Sequence, residues 1–227
     1  MTAFTYAVYP NPQRWQAMAQ LQRAAACGWV YFVSGNLCPE KAQNLAAKLD
    51  ARYGGLYAQT MTKHRADHLK KTHCPRPRLI LAENKESSVS WWLCSDLPHL
   101  KEETLADGRD KRSRIQWDRF ELLRVTKPLV IGGGQNWTWR YRREVFAEYM
   151  ANGTAWATHE RPHKAQGLID YLWGDPGFSG LRTQRLQLKS RMEWQRQRQK
   201  PGRDPLVFPP LAVFSPMQQS AWRDLSR

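Results

Sequence analysis

Three histidines and a cysteine lie within one short basic stretch of the chain. Residues 63–74 read KHRADHLKKTHC, and a helix here would place His64 and His68 on one face. Imidazole and thiolate groups bind metal ions, but this spacing is not that of a zinc finger, and no second cysteine pair completes a site. The neighbouring lysines and arginines would also repel a cation. We therefore expect neither a metal ion nor another cofactor.

The same stretch permits two other interpretations. In the first, His64, His68 or His73 acts as general base in metal-independent cleavage of RNA, and a neighbouring cation stabilises the phosphorane. In the second, which we favour, the stretch is a basic surface to which the histidines only add. Its phosphate-binding candidates are Lys63, Arg65, Lys70 and Lys71.

A second candidate is the aromatic and basic segment WTWRYR at 137–142. Side chains alternate between the faces of a strand. One face carries Trp137, Trp139 and Tyr141. The other carries Arg140 and Arg142, which could bind phosphate through bidentate hydrogen bonds. We expect the aromatic face to pack in the core. The alternative is an exposed platform for base stacking, but the sequence lacks the signature motif of the sheet-based RNA binders.

A third candidate is a basic helix predicted over 178–199. Arg182, Arg185 and Lys189 share a face, and Glu193 is the only acid between them and residue 199. Leu181, Leu188 and Met192 line another face. Such a helix could lie along a phosphate backbone.

Motifs of other enzyme classes are incomplete. The Gly132–Gly134 run lacks the Lys-Ser/Thr of a P-loop, so we predict a hairpin turn there. A two-metal nuclease requires several carboxylates that come together at one site, and nothing in the pattern of residues 107–121 indicates that their carboxylates do so. The enzyme question stays open, and a protein without catalytic activity is our expectation.

The charge of the chain indicates the class of its partner. The 227 residues hold 35 Lys and Arg against 20 Asp and Glu, for a net charge of +15. Such an excess favours a polyanion: nucleic acid, an anionic membrane surface or an acidic protein. No apolar run approaches the length of a membrane span, and of these polyanions we expect nucleic acid rather than a membrane.

The N-terminal sequence has no signal-peptide pattern, and the four cysteines form no C-x-x-C pair. We therefore expect free thiols, a reducing compartment and a cytoplasmic location.

Hydrophobic periodicity predicts the elements. Strands at 4–9 and 29–33 alternate with helices at 12–26 and 39–53. Strands follow at 79–82, 89–94, 117–126 and 137–142, with 60–78 unassigned and 99–114 a loop or frayed helix. Helices are predicted at 143–151, 163–173 and 178–199. The fold class is α/β (α+β), with a mostly antiparallel sheet, an N-terminal β-α-β-α unit and a basic helical C-terminal third.

Three segments result from this assignment. Residues 1–150 form the sheet domain, 151–200 the basic helical region and 201–227 a proline-rich tail. The tail carries exposed Val, Phe and Leu, so we expect it to lie along the domain or to dock on other protein subunits.

Three stretches of the second half of the chain carry a resemblance. They are FELLRVTKP (120–128), WTWRYRREV (137–145) and DPGFSGLRTQRLQLKSRMEWQR (175–196). They resemble uncharacterised proteins of bacterial plasmids and integrating conjugative elements. The resemblance implies a mobile-element setting, in replication, transfer or antiviral defence, and includes the case of a small subunit of a plasmid-borne CRISPR effector complex. It supplies no catalytic residues.

Together these observations predict a nucleic-acid-binding protein that contacts the phosphate backbone and belongs to a nucleoprotein complex. They leave RNA and DNA undistinguished. The alternatives are a metal-independent endoribonuclease and an adaptor for an acidic protein partner.

Overall fold

The computed structural model describes residues 6–10, 14–84, 87–126, 133–158, 162–199 and 206–211. The predicted mixture of helices and mostly antiparallel strands is confirmed. Contacts divide the chain into two compact units. Unit 1 comprises described residues from 6 to 114 and from 124 to 137, and unit 2 comprises 115–123 and those from 138 to 211. This division differs from the segments predicted from the sequence.

Unit 1 is built on a five-stranded sheet of order β1-β3-β4-β2-β5. Its strands are β1 (Val8–Tyr9), β2 (Tyr31–Leu37), β3 (Arg78–Glu83), β4 (Val89–Ser95) and β5 (Ala106–Asp107). β1 is parallel to β3, and the other neighbours are antiparallel. The predicted hairpin of β3 and β4 is confirmed. β2 begins two residues after its predicted start and ends four residues beyond its predicted end.

Three helices belong to unit 1: α1 (Arg14–Ala26), α2 (Pro39–Tyr53) and α3 (Lys63–Lys71). α1 and α2 cover opposite faces of β3. Leu79 and Leu81 join the core cluster of α2, whereas Arg78 donates to Gln20 of α1 at 2.8 Å. The prediction of α2 is confirmed at both ends, since Pro39 begins it and Gly54 ends it in the left-handed conformation.

The second sheet contains β6 (Gln116–Trp117), β7 (Phe120–Thr126) and β8 (Gln135–Tyr141), in that order. The prediction of one strand over 117–126 was wrong. The chain reverses at Asp118, whose φ is 55°, so that Trp117 pairs with Phe120 in an antiparallel hairpin. Of the predicted glycine turn, Gly132 lies outside the described residues, and Gly133 and Gly134 both have positive φ.

Unit 2 contains α4 (Arg143–Thr158), α5 (Pro162–Trp173) and α6 (Ser179–Gln199). The predicted end of α4 at residue 151 was wrong, because the helix continues through Gly153. A Cβ on Gly153 would lie 2.9 Å from Cδ1 of Leu188 and 3.2 Å from the sulfur of Met192. The glycine therefore permits the close approach of α4 and α6 rather than ending a helix.

Candidate nucleic-acid interface

Polar contacts from its first two turns hold α6 against β8. The side-chain amide of Gln184 accepts from the Tyr141 backbone N–H at 2.7 Å and donates to the Tyr141 carbonyl at 3.3 Å. The Gly180 N–H and the Ser179 hydroxyl each donate to the Thr138 hydroxyl at 2.9 Å. These contacts fix which face of α6 is turned to solvent.

Arg185, predicted to contact phosphate, is completely buried. Its guanidinium donates to the carbonyls of Leu172 (3.3 Å), Asp175 (3.2 Å) and Pro176 (2.5 Å). These carbonyls lie at and just beyond the C-terminus of α5, where a cation is favourable. Burial lowers the pKa of Arg185 below its ordinary value. In this structure the side chain supports the fold and has no access to a phosphate group.

A second buried arginine lies in the same unit. Arg119 donates to the Asp175 carboxylate, which also accepts from the Tyr141 hydroxyl at 2.7 Å. The guanidinium lies 4.3 Å from the ring centroid of Tyr171. Burial, followed by the proximity of Asp175, raises the pKa of Tyr141 far above its ordinary value. Arg119, Asp175 and Tyr141 thus form a buried polar network, in which the carboxylate compensates an interior cation.

The exposed face of α6 carries an aromatic residue between two arginines. Trp194 keeps 45% of its surface exposed. The Arg191 guanidinium lies 4.9 Å from the Trp194 ring centroid, and that of Arg198 lies 5.2 Å away. Both arginines are exposed, and neither has an ion-pair partner in the part of the chain that the structure describes.

A groove of about 690 Å³ runs beside this tryptophan. Its lining residues are Met150, Thr183, Leu186, Gln187, Ser190, Arg191 and Trp194. Leu186 is 48% exposed. The groove therefore combines an apolar surface with neutral polar side chains and one cation, and none of its described lining residues is a carboxylate. This face was not among those predicted from the sequence, although Gln187, Ser190, Trp194 and Arg198 recur at helical spacing.

The other predicted cations of α6 lie on a different face. Arg182 is half-buried. Lys189 lies 3.8 Å from Glu193 and 5.1 Å from the ring centroid of Phe208. Both are less available to a polyanion than Arg191 and Arg198.

The described part of the proline-rich tail, 206–211, contacts its own chain. The Gln166 side-chain amide donates to the Val207 carbonyl at 2.9 Å and accepts from the Val207 N–H at 3.2 Å. The Phe208 ring lies 5.3 Å from that of Trp173. The first of the two predicted placements, along the domain, therefore holds for these residues. The rest of the predicted tail lies outside the described residues.

The strand WTWRYR places its aromatic side chains in the core, as predicted. Trp139 and Tyr141 are completely buried, and Trp137 is 6% exposed. Arg140 donates to the Glu121 carboxylate at 2.7 Å, and Arg142 lies 3.5 Å from Glu144. Both predicted phosphate ligands are thus already next to a carboxylate.

In unit 1, α3 presents the basic surface predicted for residues 63–71. Thr62 caps the helix by accepting from the Arg65 N–H. Lys63, Lys70 and Lys71 are exposed and have no ion-pair partner among the described residues. Arg65 is also exposed, but its guanidinium donates to the Tyr53 carbonyl at the end of α2. We call the set Lys63, Lys70 and Lys71 the α3 lysines.

The histidines of this stretch are exposed. His64 and His68 are four residues apart on α3 and therefore share a face of the helix. His73 follows the helix with a φ of 52°. The Cys74 N–H donates to the Leu69 carbonyl at 2.8 Å, which completes a C-terminal cap. His73 therefore occupies the left-handed position where glycine is usual. Within the described ranges, no group of three or more His, Cys, Asp and Glu side chains could hold a metal ion.

Unit 1 also contains an open cleft of about 410 Å³. Arg109, Arg124, Tyr31 and Asp96 are among its lining residues. Arg109 donates to both oxygens of Asp107 and to the Tyr31 hydroxyl at 2.6 Å. The hydrogen bond from Arg109 lowers the pKa of Asp107 below its ordinary value. This cleft holds both signs of charge, and its arginine at 109 is already compensated.

Among the described helices, none has the length and apolarity needed to cross a membrane. All four cysteines are free, as predicted, and Cys94 is the buried one.

Comparison of the sequence and structure with protein-family models, curated proteins and solved structures gives no match.

Proposed function

We propose that this protein binds nucleic acid through contacts to the phosphate backbone. The observation that carries the proposal is the exposure of unpaired cations on two helices. The α3 lysines in unit 1, and Arg191 and Arg198 in unit 2, have no ion-pair partner among the described residues. Free cations on a chain of net charge +15 suit a polyanion.

The residues that we assign to this interface differ from the phosphate-binding residues predicted from the sequence. Arg185 is buried, and Arg140 and Arg142 lie beside carboxylates, so we do not assign them to the interface. Arg191 and Arg198 take their place on α6. The contacts that remain are of the kind that positions a protein on nucleic acid without reading its sequence.

The setting follows from the resemblance to proteins of bacterial mobile elements. We propose a cytoplasmic role as a subunit of a nucleoprotein complex. His64, His68 and His73 are exposed, and no observation favours the endoribonuclease alternative over binding.

The test is fluorescence anisotropy with single-stranded RNA, single-stranded DNA and duplex DNA across a salt series. We expect wild-type affinity to fall steeply as salt rises. The triple variant Lys63→Ala, Lys70→Ala, Lys71→Ala should bind more weakly, and its log–log salt slope on single strands should be shallower by about 2, at roughly 0.7 per lost contact.

A matched control removes the same charge from unit 1 elsewhere. Lys41, Lys48 and Lys101 are also exposed, and replacing all three with alanine should change the slope by much less. Equal effects of the two triple variants would show that net charge acts without a defined surface. Absence of binding by the wild type at low salt would refute the proposed function.

A further inference from the structure

Trp194 lies where a planar ligand could reach it. Nearly half of its surface is exposed, as is that of Leu186, whereas Leu181, Leu188 and Met192 of the same helix are completely buried. The groove beside the ring is about 690 Å³ in volume and includes Leu186 and Met150. Trp194 and Leu186 therefore expose apolar surface together beside one groove, and contiguous exposed apolar surface is a feature of binding sites.

The charges around the ring identify the chemistry of the ligand. Arg191 precedes Trp194 by one turn, and Arg198 follows it by one turn, so their backbone positions are about 10 Å apart along the axis. Both guanidinium groups lie within cation–π distance of the ring. The one acid of α6, Glu193, lies 3.8 Å from Lys189 and does not line the groove.

We propose that Trp194 stacks on an unpaired base of single-stranded nucleic acid, while Arg191 and Arg198 contact the phosphates on either side of that nucleotide. This inference rests on the proposed function and deepens it by naming the form of nucleic acid. Aromatic rings alternating with cations are the means by which proteins bind single strands without sequence preference, since every base has a π-face. A base within an intact duplex offers no such face.

The neutral polar residues of the groove lie where they could contact the edge of a base stacked on Trp194. Thr183, Gln187 and Ser190 line it on the same face of the helix as Trp194. Their side chains can donate and accept hydrogen bonds at the edge of a stacked base. The groove therefore suits a base better than a purely apolar side chain of a protein partner.

The experiment compares single-stranded oligonucleotides that carry bases with abasic strands of equal length and charge. Wild-type protein should bind the base-containing strand more tightly by about 5- to 150-fold, the range for one stacked base. Trp194→Ala should bind both strands alike, at the level of the abasic strand. Trp194→Phe should keep part of the preference, and Val207→Ala, which removes exposed apolar surface from the same unit, should keep all of it.

The outcomes separate this inference from the proposed function. If wild-type protein binds abasic and base-containing strands equally, with a steep salt slope, phosphate binding stands and stacking is refuted. A Trp194→Ala variant that retains the full preference also refutes it, as does a preference for duplex. If Trp194→Ala abolishes self-association of the protein in sedimentation velocity and leaves the base preference unchanged, the groove is a protein contact. RNA and DNA versions of the strand show which sugar is preferred without affecting the inference.

Discussion

Replacing Asp175 with asparagine should destabilise unit 2 strongly. Asp175 is the carboxylate of the buried network, where it accepts from Arg119 and from the Tyr141 hydroxyl. The side chains of Arg119 and Asp175 are only 9% and 5% exposed. Asparagine keeps the size of the side chain but removes the charge that compensates the guanidinium.

The size of the effect follows from the burial of the pair. Removing one partner of a buried ion pair costs about 3–5 kcal/mol, because the other charge stays buried without compensation. That is a large part of the roughly 5–15 kcal/mol by which a folded domain is stable. At about 2–4 °C per kcal/mol, the midpoint of thermal unfolding should fall by roughly 6–20 °C.

Urea unfolding followed by circular dichroism measures the change in the free energy of unfolding. Asp170→Asn is the matched control, since Asp170 is exposed and its carboxylate accepts a hydrogen bond from the Gln166 side chain in unit 2. It should stay within about 0.5 kcal/mol of wild type. Tyr141→Phe, which removes one hydrogen bond to Asp175, should cost about 1 kcal/mol. Equal stability of Asp175→Asn and Asp170→Asn would refute the view that the network compensates a buried cation.

Two further predictions concern packing and reactivity. Gly180→Ala should destabilise by about 1–3 kcal/mol, because its Cβ would lie 2.6 Å from the Trp139 carbonyl oxygen. Gly167 of α5 has open space where a Cβ would lie, so Gly167→Ala should raise the free energy of unfolding by about 0.5–1 kcal/mol. Urea unfolding measures both variants, and equal changes in their stability would contradict these predictions. At pH 8, a thiol reagent should modify three cysteines of the native protein and four of the unfolded chain. Burial raises the pKa of Cys94 to about 12, while the other three thiols are exposed, so rapid native labelling of Cys94 would contradict its burial.

The periodic elements could be predicted from the sequence because local patterns determine them. Pro39 and Gly54 mark the ends of α2, and apolar spacing gives α5 and α6. The hairpin at Asp118 could not be predicted in the same way, because it is a non-glycine residue with positive φ. The predicted α4 was too short because Gly153 was interpreted as the end of the helix. Gly153 instead allows α4 and α6 to pack closely, and no local sequence pattern indicates such a role.

The candidate site shows a different limit of sequence reasoning. Arg185 is four residues after Leu181 and three before Leu188, so it lies on the apolar stripe of α6. The offsets that grouped it with Arg182 and Lys189 are correct, but they place all three near the buried side of the helix. The exposed side is that of Trp194. The spacing of the cations therefore showed that they share one face of α6. Only the tertiary packing showed which face of the helix is exposed to solvent.

Ion pairing leaves the large excess of cations on this chain, a net charge of +15, unneutralised. Several carboxylates are held by arginines whose role is structural, as in the pairs Arg76–Asp96, Arg119–Asp175 and Arg140–Glu121. Each such pair uses one acid and one cation, so the excess of cations lies among the remaining residues. The α3 lysines are exposed to solvent, and a lysine ammonium is the kind of compact group that can bind phosphate as a point charge. On α6 the free arginines lie beside an aromatic ring, and guanidinium is the group that both stacks and binds phosphate. This contrast between paired and unpaired cations is the physical argument that supports the proposed nucleic-acid interface on α3 and α6.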